Sequence, residues 1–335
     1  MLDFSGLKIY EEALEMNAAV VRSYDAPPSY TTFEDPVAGE RELLVTVTAA
    51  GLHPIVKSLA NGTHYGSTGV FPFVPGVDGV GRLEDGRRVY FGVVRPPFGS
   101  FAEKTVTGMS MCVQLPDGLP DEAAAGLANP GMSSWAALTA RAKFVAGESV
   151  LILGATGSAG RLAVQIAKRM GARRVVAAGR NPEALEKLKG LGADVVISLE
   201  LGHDELVAAF RKEIVGDGVD VVLDYLWGAP AEAVLAAIAQ KGLSHAAPRI
   251  RFLQIGNSAG PTISLAGATL RSSGLELLGS GFGSASMTEI FAAIGEMFKE
   301  AAKTPFVNSV RTVALKDVGE LWATKEEGVR LVFRP

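Results

Sequence analysis

A single cysteine, Cys112, stands among the 335 residues. One thiol excludes an internal disulfide and any zinc site built from several cysteines, which suits a reducing cytoplasm, and Cys112 reads as a small core residue. Histidine is nearly as scarce, with four copies. No long apolar run is present: the longest stretches are broken by Glu, Arg, Pro or Gly well before the ~18 residues that a membrane-crossing helix needs. Charge of one sign is also missing, since 32 Lys and Arg stand against 36 Asp and Glu, for a net charge of -4. Without a basic face, nucleic acid is not an expected partner, and no membrane partner is expected either. Met1 to Asn17 carry acidic side chains and no extended apolar core, so this segment resembles neither a signal nor a transit peptide. Internal repeats and low-complexity tracts are absent. What is left is the composition of a soluble enzyme long enough for about two domains, acting on a small molecule.

The most informative stretch runs from Ser149 to Arg180. Val150 to Leu153 is a short, wholly apolar run ended by a glycine, as in a buried strand of a parallel sheet. Gly154, Gly157 and Gly160 then stand three apart, a spacing that lets the chain bend sharply, brings backbone close to a pyrophosphate, and packs the following helix on the strand. In that helix Leu162, Ile166 and Met170 share one face with Ala159, Ala163 and Ala167 beside them. Its amino end would hold a phosphate with the amides of Thr156, Gly157, Ser158, Ala159 and Gly160, without a lysine. A tight strand-to-helix turn needing glycine for packing alone is the competing explanation. A second strand, Val175 to Ala178, follows the helix, as the dinucleotide-binding fingerprint requires.

Further apolar strands recur between helical segments, at Val195 to Ile197, Val219 to Leu223, Arg251 to Ile255 and Leu275 to Leu278. With the first two they make a doubly wound, parallel, six-stranded α/β sheet whose ligands belong at the carboxyl ends of the strands. After the second strand come Gly179, Arg180 and Asn181, then Pro182 as the first residue of a helix that Asn181 would cap. An NAD site places an acid here. This chain offers Arg180 instead, whose planar charged fork suits the 2′-phosphate of NADPH. A solvated arginine leading into a helix is the alternative. Leu226 and Trp227 after the fourth strand, Gly256 and Asn257 after the fifth, and Gly281 and Phe282 after the sixth are expected to line the nicotinamide half, with Trp227 either covering a ring or packing in the core.

From Asn17 to about Gly126 the texture is β-rich, with strands expected at Ala18 to Arg22, Glu42 to Ala49, Gly79 to Leu83, Arg88 to Phe91 and Phe101 to Thr105. Such spacing suggests a small barrel. Near the end, Val310 to Leu315 and Val329 to Phe333 read as strands with no helices between them, which places them with the first domain rather than the parallel sheet.

Several motifs together resemble the medium-chain dehydrogenase/reductase superfamily, and within it the zinc-independent quinone oxidoreductase branch. Ala50-Gly51-Leu52-His53-Pro54 is similar to that branch's A-G-V-N-P, and Val74 to Gly81 to its P-G-x-E-x-x-G. Gly131-Met132-Ser133-Ser134 is similar to G-M-T-A, which places Ser133 at the cofactor, and Ala155 to Gly160 to A-x-G-x-x-G. The resemblance implies a GroES-like β-barrel domain over 1–130, completed by 289–335, and a Rossmann domain over 131–288. It also implies an active site between the domains, a homodimer, and hydride transfer from NADPH to a quinone or α,β-unsaturated carbonyl compound. Where zinc members of the superfamily carry Cys and His-Glu ligands, this chain has His53 and Val77-Asp78, so no metal is expected. Arg180 departs from the branch, and its role rests on chemistry alone.

Two groups in the first domain could donate to a developing oxyanion. Tyr65 falls where related reductases carry a cleft-facing tyrosine, and a phenol stays protonated at neutral pH; it could equally be a loop residue. His53 follows a strand and stands either beside the substrate or as a structural hydrogen-bonding histidine. Two other functions fit the same sequence: an enoyl thioester (CoA or ACP) reductase, and a non-catalytic NADPH-binding sensor or structural protein. An extended short-chain dehydrogenase is excluded, because about 150 residues precede the glycine turn.

Overall fold

A computed structural model of the chain describes residues 14–239, 247–281, 283–324 and 328–335. They divide into two units: the chain up to Cys112 with Thr312–Lys325 and Leu331–Pro335, and Val113–Arg311 with Glu326–Arg330.

In the second unit six parallel strands form one sheet, β8 (Ser149–Leu153), β9 (Arg174–Gly179), β10 (Val195–Ser198), β11 (Val221–Asp224), β12 (Arg249–Gln254) and β13 (Gly274–Gly279). Their order is β10-β9-β8-β11-β12-β13, so strand order reverses between β8 and β11, the point at which open parallel sheets bind ligands at their carboxyl ends. All six strands fall where the apolar runs predict them. The reason is burial on both faces: β8 and β11 are buried at every position, which demands unbroken apolar sequence.

Around the sheet run α2 (Asp121–Ala136), α3 (Ser158–Arg169), α4 (Pro182–Lys189), α5 (His203–Glu213), α6 (Gly228–Ile238), the short α7 (Gly267–Arg271) and α8 (Met287–Lys303). Leu162, Ala163, Ile166 and Ala167 of α3 are buried, as their spacing requires. Leu151, Val176, Val222 and Phe252 of the sheet share one core with Phe210 of α5 and Val234 of α6. Residue 130 lies inside α2, a helix of the second unit, where Gly131 packs against Met297 of α8 so closely that a Cβ would lie 2.6 Å from its sulfur.

The first unit holds the hairpin β1 (Glu15–Val20) and β2 (Ser29–Glu34), and a larger antiparallel sheet of β3 (Glu42–Gly51), β4 (Asp78–Arg82), β5 (Arg88–Gly92) and β6 (Lys104–Gly108), to which β7 (Cys112–Gln114) adds a strand at the boundary. A short helix, α1 (Pro54–Ala60), follows β3, and α9 (Val318–Leu321) lies late in the chain. The long β3 is the hub, pairing with β4 and β6 on one edge or the other, and with β15 (Val329–Arg334) in the register Val332 to Gly51 and Phe333 to Ala50. With β14 (Ser309–Ala314) the order is β14-β15-β3-β4-β5-β7, so the late strands join this sheet and not the parallel one.

One strand sits later than its sequence suggests. Phe101 is fully buried but lies before β6, because a Cβ at Gly99 would come within 2.2 Å of two carbonyl oxygens, which pins this segment to Val74 and Pro75 before pairing with β3 can begin. The hairpin strand β2, SYTTFE, has no apolar alternation to announce it; its outer face is exposed.

Candidate active site

The turn after β8 is built around its glycines. Gly154 adopts a left-handed φ of 81°, and the N–H groups of Gly154 and Ala155 both donate to Ala178 O, at 3.0 and 2.9 Å, which ties the turn to β9. A Cβ on Gly160 would lie 2.3 Å from Gly154 O, so only glycine lets the first turn of α3 rest on the bend. Gly157, the N-cap of α3, is exposed and has no side chain to satisfy the amides that begin the helix. Those amides, of Ser158, Ala159 and Gly160, begin the helix without a side-chain cap, and such a helix head is a ready anion site.

Beside this cradle, Thr156 packs against Gly179, where a Cβ would meet its Cγ2 at 2.5 Å. The next residue, Arg180, is exposed and forms no ion pair with another described residue. Asn181 is the helix cap its position predicts: Ala184 N–H donates to its Oδ1 at 3.0 Å, with Pro182 opening α4.

The loops after β11 and β12 are stitched together. Ile255 and Gly256 N–H donate to Asp224 O at 2.8 and 3.1 Å, Ala259 N–H donates to Leu226 O at 2.8 Å, and a Cβ on Gly256 would lie 2.8 Å from Tyr225 O. Leu226 lies over the glycine turn, since a Cβ on Gly154 would be 3.0 Å from its Cδ2. Trp227 is partly buried: its indole sits edge-on to Phe252 at 6.3 Å against the core, and it reaches that place with φ 58°. That left-handed backbone costs on the order of 1 kcal/mol or more in a residue with a Cβ. Asp224 offsets it, accepting from Leu226 N–H at 2.8 Å and Trp227 N–H at 3.0 Å through Oδ1.

Asp224 itself is fully buried, and its Oδ2 has no hydrogen-bond partner. Burial lifts its carboxyl to about 6, against the pull of the two backbone donors. Sequence reasoning passed over this residue, although a carboxylate closing the apolar run Val221–Leu223 was the available signal. Asn257 and Gly281 are exposed at the ends of their strands, and Phe282 lies outside the described residues. Ser133, on α2, meets the loop after β11: its hydroxyl lies 3.2 Å from that of Tyr225.

In the first unit the two donor candidates occupy opposite environments. Tyr65 is 87% exposed, its ring tilted over His64 at a centroid distance of 4.2 Å. His53 is 0% exposed, at the N-cap of α1, with Nε2 3.6 Å from Asp78 Oδ1, while Tyr90 donates to Asp78 Oδ2 at 2.9 Å. His53 thus stands in a buried group with Asp78 and Tyr90. Burial, then the Asp78 charge, holds the Tyr90 phenol well above its usual range. Among the described residues no group of three or more His, Cys, Asp or Glu side chains could hold a metal ion. Cys112 is half-buried against Val45, Val89 and their neighbours, and burial pushes its thiol up to about 11.

A six-stranded parallel sheet with a glycine-lined turn at its switch point, joined in one chain to an antiparallel β unit, is similar to the arrangement of the medium-chain dehydrogenase/reductase superfamily. Residues 159–300 match the family model described as zinc-binding dehydrogenase. Along 96% of its length the chain is 29% identical to a probable NADPH-dependent quinone reductase of Emericella nidulans, covering 100% of that protein. It is 31% identical over 58% of its length to a trans-enoyl reductase of Aspergillus terreus, of which it spans 59%. The quinone oxidoreductase of Thermus thermophilus superposes on 96% of the chain with a TM-score of 0.75 at 27% identity, covering 100% of that structure. Within the superfamily these likenesses support the quinone oxidoreductase-like branch.

Proposed function

We propose that this chain is a zinc-independent, NADPH-dependent reductase of quinones or α,β-unsaturated carbonyl compounds. The observation that carries the reading is the cradle itself: a bend on which Gly160 admits no Cβ, a helix α3 that begins without a side-chain cap, and a cation, Arg180, with no ion pair among the described residues, one residue beyond the glycine that Thr156 touches. The residues fit a dinucleotide. Ser158, Ala159 and Gly160 amides would hold the diphosphate, Arg180 the 2′-phosphate, and the loops carrying Leu226, Gly256 and Asn257 would orient the nicotinamide half. NADPH, when bound, supplies a hydride.

A conjugated acceptor suits a reading without a metal, because its developing charge moves to a distant oxygen and asks only for a hydrogen bond. Tyr65 is assigned that donor role, as its hydroxyl is open to solvent while His53 is sealed in the core. The Emericella relative's name supports the quinone reading. The Aspergillus relative's name supports a second, reduction of an enoyl thioester.

Loss of NADPH absorbance separates the two. Oxidation with 9,10-phenanthrenequinone but not crotonyl-CoA is the expected result; the reverse pattern establishes the thioester reading, and tight NADPH binding with neither acceptor reduced makes the chain a nucleotide sensor. A homodimer located in the cytoplasm completes the proposal.

A further inference from the structure

The segment that carries Tyr65 is a loop with a narrow neck, and a side chain from an earlier part of the chain closes that neck. After α1 the backbone turns at Gly62, with φ 77°, and turns again at Gly69, with φ 72°. On the outgoing side a Cβ on Gly62 would lie 2.7 to 2.9 Å from three ring atoms of Tyr24, so bare backbone rests against the phenol ring. On the returning side Gly69 N–H donates to Tyr24 Oη at 2.7 Å, and the ring of Phe71 meets that of Tyr24 edge-on at 4.8 Å. Tyr24 thus touches both sides of the neck, although it stands 45 positions before Gly69. Its own place is fixed at the foot of the loop, where Val21 and Phe73 exchange backbone hydrogen bonds of 2.8 and 3.1 Å.

Burial does not order the tip. Tyr65 is 87% and Val70 68% exposed, and Gly66, Thr68 and Gly69 are exposed with them. Hydrogen bonds fix the outgoing side: Thr63 and His64 N–H donate to Ser58 O at 3.0 and 3.1 Å, Gly66 N–H donates to His64 Nδ1 at 3.0 Å, and Ser67 N–H donates to His64 O at 2.9 Å. The returning side is tied at Gly69, and there the acceptor is the Tyr24 hydroxyl. Releasing that tie leaves an exposed excursion fixed at one side only, which regains the conformational freedom that closure removed.

A hydrogen-bond donor in a reduction must stand within a few tenths of an ångström of one station, and an exposed phenol on a free loop does not. We infer that Tyr24 is a positioning residue for the reduction: by joining Gly62 to Gly69 across the neck it holds the loop that presents the Tyr65 hydroxyl. This rests on the reading of Tyr65 as the donor, and it adds the group that makes an exposed donor an ordered one.

The test is a double-mutant cycle in steady-state kinetics with NADPH and 9,10-phenanthrenequinone. Tyr24→Phe keeps the ring against Gly62 and Phe71 and loses only the bond to Gly69, whereas Tyr24→Ala loses all three contacts. The Phe variant is expected to lower kcat about threefold to tenfold, the worth of one neutral hydrogen bond, and the Ala variant to lower it further, while KM for NADPH stays within about twofold of wild type. Added to Tyr65→Phe, the Tyr24→Phe change is expected to cost less than about twofold more, because the group it positions is already gone. Unchanged kcat in the Phe variant overturns the inference, and so do losses that multiply in the double variant. Turnover of Tyr65→Phe equal to wild type instead removes the donor assignment, and the role of Tyr24 with it. Hydrogen exchange reads the neck without turnover: the Gly69 amide is expected to exchange at least about fivefold faster in Tyr24→Phe, and equal exchange overturns the inference whatever the activity. Tyr24→Phe alone decides the matter if Tyr24→Ala does not melt cooperatively.

Discussion

At the scale of single residues, charge decides most. Arg180 presents an uncompensated guanidinium next to the cradle, and a charge-assisted contact to a phosphate is worth about 1.5 to 3 kcal/mol. Arg180→Ala is therefore expected to weaken NADPH binding by roughly that amount and to leave NADH binding nearly unchanged, as read by fluorescence titration. Equal losses for both nucleotides would remove the residue from the 2′-phosphate. Asp224 behaves in the opposite sense to a salt-bridged carboxylate. Its folded-state value, about 6, lies above the 3.8 of an unfolded aspartate, so the native protein holds the extra proton in that window. Stability from this group is fully present below pH ~4, fades as pH rises through 6, and is replaced above that by a buried charge. Asp224→Asn keeps an oxygen for the Leu226 and Trp227 amides and removes the charge. The urea midpoint of the variant relative to wild type should thus rise between pH 4 and pH 7, by the equivalent of up to about 3 kcal/mol, and a difference that stays flat would show that Asp224 does not titrate there.

Elements were legible wherever burial dictates sequence on both faces. The six strands of the parallel sheet, the stripe of α3 and the Asn181-Pro182 opening of α4 all follow from local pattern, because a fully buried strand or a capped helix admits few alternatives. The edge hairpin strand β2 and the displaced start of β6 did not, since one is set by pairing with β1 and the other by the approach of Gly99 to distant carbonyls. The same contrast holds in the site. The spacing of Gly154, Gly157 and Gly160 announces the cradle. Nothing local announces that Tyr225 meets a hydroxyl 92 positions earlier, that Trp227 turns inward to Phe252, or that His53 is enclosed with Asp78 and Tyr90. Contacts of that kind belong to the tertiary fold, and local sequence carries them only as possibilities.

For the whole molecule, the expected assembly is two copies, and light scattering should return about twice the 35.0 kDa of one chain; a mass of one chain would refute the dimer. The feature with the widest reach is the return of β15 to β3. Every strand of the parallel sheet comes from one uninterrupted stretch, Ser149–Gly279, whereas the other sheet spans from β3 to β15 and holds Val332 and Phe333 fully buried in its register with Ala50 and Gly51. On the ribosome, the earliest-made sheet is thus the last to close: its central strand waits for residues synthesised some 280 positions later, and the nucleotide holder can be finished while its neighbour is still missing an edge.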